Sequence, residues 1–116
     1  MDLVREVLED LRNSYNVELV VLLDSGGREL WRIGPERPFS TSAVEKSMKG
    51  KAPVVFSDIL HNGKPETGVF YRLQSIVVVP LDIEGKISGY LYFDSGTKRC
   101  FSEGEIGELK AFGKQS

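Results

Sequence analysis

The chain has 116 residues, of which 15 are basic and 17 are acidic, so its formal net charge is -2. This length predicts a single domain spanning residues 1–116, and the nearly balanced charges exclude a basic surface of the kind that binds nucleic acid. No apolar run reaches the roughly 20 residues that a membrane-spanning helix requires, and residues 1–11 do not show a basic flank followed by an apolar core. We therefore expect a cytoplasmic protein that contacts neither nucleic acid nor membrane.

The first third of the chain predicts a helix followed by a β-hairpin. Apolar side chains in the range 3–11 fall on one stripe of a helix that is expected to end near Asn13. This stripe suits packing on a sheet, which we prefer, or on the same helix of a second subunit. The run 17–23, which is apolar except for Glu18, and the run 28–33 flank a turn with two glycines, which predicts two antiparallel strands with Trp31 in the core.

The middle of the chain predicts a second helix, a third strand and a long loop. Ser42 and Glu45 have the spacing of a capping box, so a helix is expected from Ser42 to Lys49. The compact run 53–57, PVVFS, predicts a strand. Two glycines, a proline and several polar residues follow within 58–72 and predict a loop. Loops of this length in compact domains are commonly functional.

A second hairpin is the strongest structural signal in the sequence. Residues 76–81 carry no charge, which is typical of a strand covered on both faces, whereas residues 87–93 place apolar and mixed side chains on alternate sides. The short turn 83–86 contains Gly85, at which a positive φ is expected. Because so short a connection forces its strands to run antiparallel, an antiparallel sheet with material packed on both faces is predicted.

The last residues predict a third helix. Ser102 and Glu105 form a second candidate capping box, and Ile106, Leu109 and Phe112 recur at three-residue intervals on one face. The order of elements is then helix, two strands, helix, strand, loop, two strands, helix. This order predicts an α+β fold of three layers, α/β/α, with a central antiparallel sheet of five to six strands.

In the order and spacing of these pieces, the chain resembles the GAF domain family, the small sensory domains of signalling proteins. The similarity is carried by the segment 40–58, STSAVEKSMKGKAPVVFSD, by the segment 74–94, and by Phe101 and Ser102 before the last helix. It implies a GAF-like fold of the PAS/profilin type. The segment 40–60 is most similar to the GAF domains that precede the output domains of sigma-54-dependent transcription activators.

The chain departs from several functional patterns of that family. Gln74 stands where an arginine is common, and Thr97 and Ile106 replace two residues of the signature found in GAF domains that bind cyclic nucleotides. Binding of a cyclic nucleotide is therefore not favoured. Cys100 is the single cysteine and His61 the single histidine, and they lie in different predicted elements. We predict no catalytic residue, no metal ligand and no cofactor, because nucleophilic catalysis needs such groups paired.

The predicted ligand site is a cavity between the sheet and the loop 58–72. The helix that begins at Ser42 would form the opposite wall, with Phe39 at the entrance. Tyr90 points to the same side of its strand as Ser88, and that side faces either the pocket or a helix. Core packing is the alternative role for the aromatic residues. The candidate ligand-binding residues are Phe39, Ser57, Asp58, His61, Phe70, Tyr71, Arg72, Ser75 and Tyr90.

The resemblance implies a regulatory domain of a bacterial signalling or transcription-activator protein. Such a domain binds a small molecule, a nucleotide or another small metabolite, has no catalytic activity and controls an output domain in the same polypeptide. Ligand binding is expected to order the loop 58–72 and to shift the first and last helices, which would form a homodimer interface. The alternatives are a ligand-free dimerisation module and a redox enzyme of the methionine sulfoxide reductase type, whose activity would depend on Cys100.

Overall fold

The computed structural model describes residues 3–57, 73–98 and 100–115. The helices and strands in chain order are α1 (Leu3–Ser14), β1 (Leu19–Asp24), β2 (Glu29–Ile33), α2 (Thr41–Gly50), β3 (Val54–Phe56), β4 (Ser75–Ile83), β5 (Lys86–Ser95), α3 (Glu103–Gly113) and β6 (Lys114–Gln115). The predicted order of helices and strands is confirmed, and the short strand β6 is added to it, whereas the predicted loop 58–72 lies outside the described residues. Within the described ranges, no helix combines the length and the apolar composition that crossing a bilayer requires.

The strands form one six-stranded sheet with β5 near its centre. Its main path runs β2-β1-β5-β4-β3, and each pair along that path is antiparallel. Since β5 occupies one side of β4, strands β3 and β6 share the other side. There β3 pairs with residues 76–78, and β6 pairs in parallel with Asp82 and Ile83. Residues 79–81 lie between the two, and Pro80, which has no N–H to donate, suits this edge position.

The predicted turn between β4 and β5 is confirmed. Glu84 and Gly85 have φ values of 54° and 84°, so both central residues are left-handed. This is the requirement of a two-residue hairpin turn whose twist matches that of the strands it joins. The pairing of β4 with β5 shifts register between Leu81 and Asp82, next to this turn.

Two apolar clusters cover the two faces of the sheet, which confirms the three-layer architecture. On one face, Leu8 of α1 and Leu109 of α3 pack against alternate residues of the central strands, among them Val77, Val79 and Phe93. On the other face, Val44 of α2 packs against the intervening residues, among them Val78, Tyr90 and Tyr92. Leu8 and Leu11 are buried in the first cluster, so α1 packs on the sheet of its own chain.

The structure corrects the predicted start of α2. Its N-cap is Ser40, not Ser42, because the Ser40 hydroxyl accepts a hydrogen bond of 3.2 Å from the backbone N–H of Ala43. The backbone N–H of Ser40 in turn donates to the Tyr92 hydroxyl at 2.9 Å. This tertiary contact selects one of two serines that both have the chemistry of a cap.

The predicted core position of Trp31 is also wrong. Its side chain is 38% exposed, and its neighbour Leu30 is 57% exposed. The reason is the place of β2 at the edge of the sheet, where three of its five residues are exposed.

By contrast, the capping box of α3 is confirmed, since Ser102 and Glu105 exchange both of its hydrogen bonds.

Candidate functional site

Four of the nine predicted ligand-binding residues lie in the part of the chain that the structure describes. They are Phe39, Ser57, Ser75 and Tyr90. The other five lie outside the described residues, and their role in binding stays a prediction: Asp58, His61, Phe70, Tyr71 and Arg72.

Phe39 and Tyr90 lie on the face of the sheet that α2 covers. The ring of Phe39 packs against the ring of Tyr92, with 5.4 Å between their centroids. Tyr90 is only 4% exposed, and burial raises the pKa of its hydroxyl. Helix α2 and a cavity described below share this face, so Tyr90 contributes to both the helix packing and the cavity wall.

Ser75 and Ser57 lie at the other end of β4. Tyr90 pairs with Pro80, five residues along β4 from Ser75, so Ser75 and Tyr90 are about 17 Å apart along the sheet. The buried hydroxyl of Ser75 donates a hydrogen bond of 2.6 Å to the carbonyl oxygen of Lys98. That bond ties the start of β4 to the segment after β5, and it does not bring Ser75 near Tyr90.

A cavity on this face has a volume of about 570 Å³ and opens to solvent. We call it the α2-face cavity. It lies between the C-terminal half of α2, the β1–β2 turn and the β4–β5 hairpin. Its lining residues are Ser25, Met48, Lys51, Asp82, Gly85, Lys86, Ile87 and Tyr90.

A smaller cavity places Phe39 beside the same helix. It has a volume of about 170 Å³, and its lining includes Phe39, Gly27 and Val44 as well as Met48, which it shares with the α2-face cavity. Gly27 has a φ of 84°, and a Cβ atom there would lie 2.9 Å from the Met48 sulfur. The glycine therefore lets the β1–β2 turn approach α2 closely. Phe39 and Tyr90 thus line two cavities that share Met48.

A third cavity, the edge cleft, opens at the edge of β4 between β3 and β6. Its volume is about 280 Å³. At Gly113 the end of α3 approaches β4 closely, because a Cβ atom there would lie 2.5 Å from the Pro80 carbonyl oxygen. Its lining residues are Lys51, Ala52, Pro53, Val79, Pro80, Asp82, Ile87, Lys110, Gly113 and Lys114.

The α2-face cavity and the edge cleft meet at Lys51, Asp82 and Ile87, which line both. Asp82 follows the register shift in the β4–β5 pairing. Its Oδ1 atom is buried and accepts no hydrogen bond from a described residue. Sequence reasoning missed this position, although a carboxylate within the otherwise uncharged run of β4 was a signal for it.

A buried ionic network anchors the N-terminus of α2 to the sheet. The Asp94 carboxylate is fully buried, and it accepts hydrogen bonds from Arg37 at 2.6 Å and from the Tyr92 hydroxyl at 2.7 Å. Arg37 also contacts Glu18 at 3.3 Å. Burial raises the pKa of Asp94, while its hydrogen bonds with Tyr92 and Arg37 oppose that rise. Because Tyr92 accepts from the backbone of Ser40, the network fixes the first turn of α2.

Among the residues that the structure describes, no group of three or more His, Cys, Asp or Glu side chains has the geometry to hold a metal ion. Cys100 is exposed in the segment before α3. The arrangement on the α2 face, an open cavity with an aromatic ring, apolar groups and charges, is suited to binding a small molecule.

Comparison with known proteins identifies the fold. No protein-family profile matches the chain, and no curated protein matches it in sequence. Among solved structures, the GAF domain region of a protein from Geobacter sulfurreducens has a TM-score of 0.77 at 17% identity and covers 93% of this chain and 83% of that chain. A type II free methionine-R-sulfoxide reductase from Thermoplasma acidophilum has a TM-score of 0.75 at 18% identity, covering 96% of this chain and 84% of the reductase.

A third solved structure has the same fold. The photoproduct state of a GAF domain from Synechocystis has a TM-score of 0.68 at 11% identity and covers 94% of this chain and 85% of that one. The chain therefore has the GAF-like α+β fold that the sequence predicted. The structures that share this fold include GAF domains and a methionine sulfoxide reductase, so the fold by itself does not define the activity.

Proposed function

We propose that this chain is a regulatory GAF domain that binds a small molecule in the α2-face cavity and passes its occupancy to an output domain in the same polypeptide. The observation that carries the proposal is the cavity itself. Its volume of about 570 Å³ lies within the range of roughly 300–1,000 Å³ that is usual for small-molecule sites. The sensory GAF domains that share the fold support this assignment.

The proposal extends to a bacterial signalling protein acting in the cytoplasm, without direct contact with nucleic acid or membrane. The similarity of the segment 40–60 to GAF domains of sigma-54-dependent activators supports a transcription activator as the protein type. The ligand is a nucleotide or another small metabolite. No cofactor and no catalytic step are required.

A homodimer through α1 and α3 is part of the same proposal. These helices form an apolar groove of about 270 Å³ on the face of the sheet opposite the cavity. Leu3 at its border is 67% exposed, and Val7 is 44% exposed. Apolar side chains this exposed on adjoining helices are typical of a surface that packs against a partner. A shift of these helices on ligand binding would carry the signal.

The same groove supports the second candidate function, a dimerisation module that binds no ligand. The two candidates differ in one measurement, the change in melting temperature with added small molecules. Compounds that bind the folded state raise this temperature by an amount that grows with the logarithm of their concentration once that concentration exceeds the Kd. A panel of nucleotides, oxo acids and amino acids is therefore screened against the purified chain by differential scanning fluorimetry.

A variant that blocks the cavity sharpens the test. Ser25 is exposed and lines the α2-face cavity, so Ser25→Trp narrows it without touching the core. The matched control is Asn13→Trp, because Asn13 is also exposed and lies near the end of α1. A concentration-dependent rise that Ser25→Trp abolishes and Asn13→Trp retains supports the sensor. A rise that survives in Ser25→Trp contradicts the placement of the ligand, and no rise with any compound favours the dimerisation module.

A redox enzyme is the third candidate, because a free methionine-R-sulfoxide reductase shares the fold. Its activity would depend on Cys100, the single cysteine of the sequence. We expect no turnover of free methionine sulfoxide by the purified chain. Turnover that disappears in Cys100→Ser would contradict the proposed sensor function and support the redox enzyme.

A further inference from the structure

The junction of the α2-face cavity and the edge cleft has a charge pattern of its own. Asp82 lies at the junction. Its Oδ1 atom is the one buried carboxylate oxygen among the described residues that has no hydrogen-bond partner there. Four lysines line the two cavities, and none of them forms an ion pair with a described residue; they are Lys51, Lys86, Lys110 and Lys114.

The centre of the junction favours a positive group. A carboxylate oxygen that is removed from water without a hydrogen bond costs free energy that a donor recovers. The last turns of α2 and α3 also end beside the junction, at Lys51 and Lys114, so both helix dipoles present their negative ends to it. An ammonium group placed at Asp82 satisfies both features.

The rim of the junction favours a negative group. The four lysines outnumber the single aspartate of the lining, which gives the two cavities a net charge of +3. Long lysine side chains also offset helix dipoles, which explains their presence near helix ends. A lysine that only offsets a helix dipole needs no hydrogen-bond acceptor. This role does not, however, supply a donor to the buried Oδ1 atom of Asp82.

From these two features we infer that the cavity of the proposed sensor takes a small zwitterion, whose ammonium group lies at Asp82 and whose carboxylate lies at the lysines. The inference rests on the proposed function and names the chemical class of its ligand. The ligand extends from the α2-face cavity, where Tyr90 and Ile87 contact its apolar part, across the junction into the edge cleft. Amino acids are the simplest members of this class.

The test compares acids that differ in one group. Titration calorimetry measures the affinities of L-alanine, L-lactate and pyruvate, and of L-glutamate, 2-hydroxyglutarate and 2-oxoglutarate. The ammonium group of each amino acid can donate to Asp82, and the keto group cannot. We expect an amino acid to bind with a Kd below about 1 mM and at least about tenfold more tightly than its oxo acid, as expected for one charge-assisted hydrogen bond.

Two variants assign the groups. Asp82→Asn removes the negative charge at nearly constant size, and its expected effect is a loss of most of the preference for amino acid over oxo acid. Lys51→Gln is expected to weaken both acids about equally and to reduce the dependence of binding on salt. The controls are Asp10→Asn in α1 and Lys49→Gln in α2, which are exposed and line neither cavity. If Asp82→Asn fails to fold, two measurements still test the inference. They are the comparison of Lys51→Gln with Lys49→Gln, and the ratio of the affinities for amino acid and oxo acid in the unmodified chain.

The outcomes separate this inference from the proposal beneath it. An oxo acid that binds as tightly as its amino acid overturns the zwitterion. Binding of a nucleotide that Ser25→Trp abolishes, together with no binding of any amino acid, also overturns the zwitterion. This outcome still supports the proposed sensor function. If neither this panel nor the broader screen yields any binding, both the inference and the proposed function are overturned.

Discussion

Replacing Arg37 with leucine tests the anchor between α2 and the sheet. Arg37 is 14% exposed at its side chain, and its partner Asp94 is fully buried, with 2.6 Å between the interacting atoms. The substitution leaves a buried carboxylate with a hydrogen bond from Tyr92 but without its cation. Removing one partner of a buried ion pair typically costs about 3–5 kcal/mol, because the remaining charge stays desolvated.

The expected size of the effect is large enough to read in a melting curve. For a chain of this length, about 3–5 kcal/mol corresponds to a fall in melting temperature of about 12–20 °C. The matched control is Arg28→Leu, because the Arg28 side chain is 88% exposed and pairs with Asp24 at 3.3 Å. Exposed pairs of this kind contribute at most about 1 kcal/mol, so the control is expected to melt within a few degrees of the wild type.

The loss in Arg37→Leu depends on pH in a predictable direction. Burial already raises the pKa of Asp94, and removing the cation raises that pKa further. The folded variant then holds the Asp94 proton to a higher pH than the unfolded chain does. Its free energy of unfolding therefore falls as the pH rises through the pKa of the folded state. The difference from wild type is therefore larger at about pH 7 than at about pH 4, and it shrinks as the pH falls through the raised pKa of Asp94 in the folded variant.

Urea unfolding of the two variants across this pH range is the assay. A loss for Arg37→Leu no larger than that for Arg28→Leu would refute the account of the anchor. A large loss that does not change between acidic and neutral pH would refute the electrostatic cause and assign the effect to packing. Adding Asp94→Asn to Arg37→Leu removes the stranded charge, and we expect it to recover part of the lost stability at neutral pH.

Three further predictions concern the helices. Gly113→Ala is expected to lower the free energy of unfolding by about 1–3 kcal/mol, because its Cβ would lie 2.5 Å from the Pro80 carbonyl oxygen and 2.7 Å from Val79 Cγ1; Gly107→Ala, with nothing within 4 Å, is expected to raise it by up to about 1 kcal/mol, and equal signs in urea unfolding would contradict the close contact. Ser102→Ala removes the capping box of α3 and is expected to cost about 0.5–2 kcal/mol; an unchanged melting temperature would show that the cap is dispensable. Val7→Glu places a charge on the apolar groove of α1 and α3 and is expected to yield monomers in sedimentation velocity where the wild type forms dimers, whereas a monomeric wild type would remove the proposed interface.

Much of the fold was predictable because its signals are local. The turn at Gly85 and the uncharged run of β4 define the central hairpin within 21 residues, from Ser75 to Ser95. The capping box of α3 is equally local, since Ser102 and Glu105 are three residues apart. Side-chain periodicity and turn chemistry act over such distances, so they can be read from one sequence.

The errors come from contacts between distant parts of the chain. Ser40 and Ser42 are equally suitable caps by local chemistry, and the choice between them involves a hydrogen bond to Tyr92, 52 residues away from Ser40. The exposure of Trp31 follows from the place of β2 at the edge of the sheet. Strand order and edge position depend on the whole fold, and the pattern within β2 does not encode them.

The candidate site was predictable only in part for the same reason. Sequence reasoning placed Phe39 and Tyr90 near one pocket, and the structure puts both on the α2 face. It missed Asp82 and the lysines around it, because the junction forms where the end of β4 meets the last turns of two helices. The prediction also put Ser75 and Tyr90 in one ligand site, and the geometry of an extended strand separates them.

Chemical-shift mapping by NMR tests the central proposal, a small-molecule site on the α2 face, most directly. The ¹⁵N-labelled chain is titrated with the compound that gives the largest rise in melting temperature. The proposal predicts saturable shifts at the amides of Met48, Lys86 and Tyr90, whose residues line the α2-face cavity, and their loss in Ser25→Trp. Saturable shifts confined to other residues, or no shift with any compound of the screen, would contradict it.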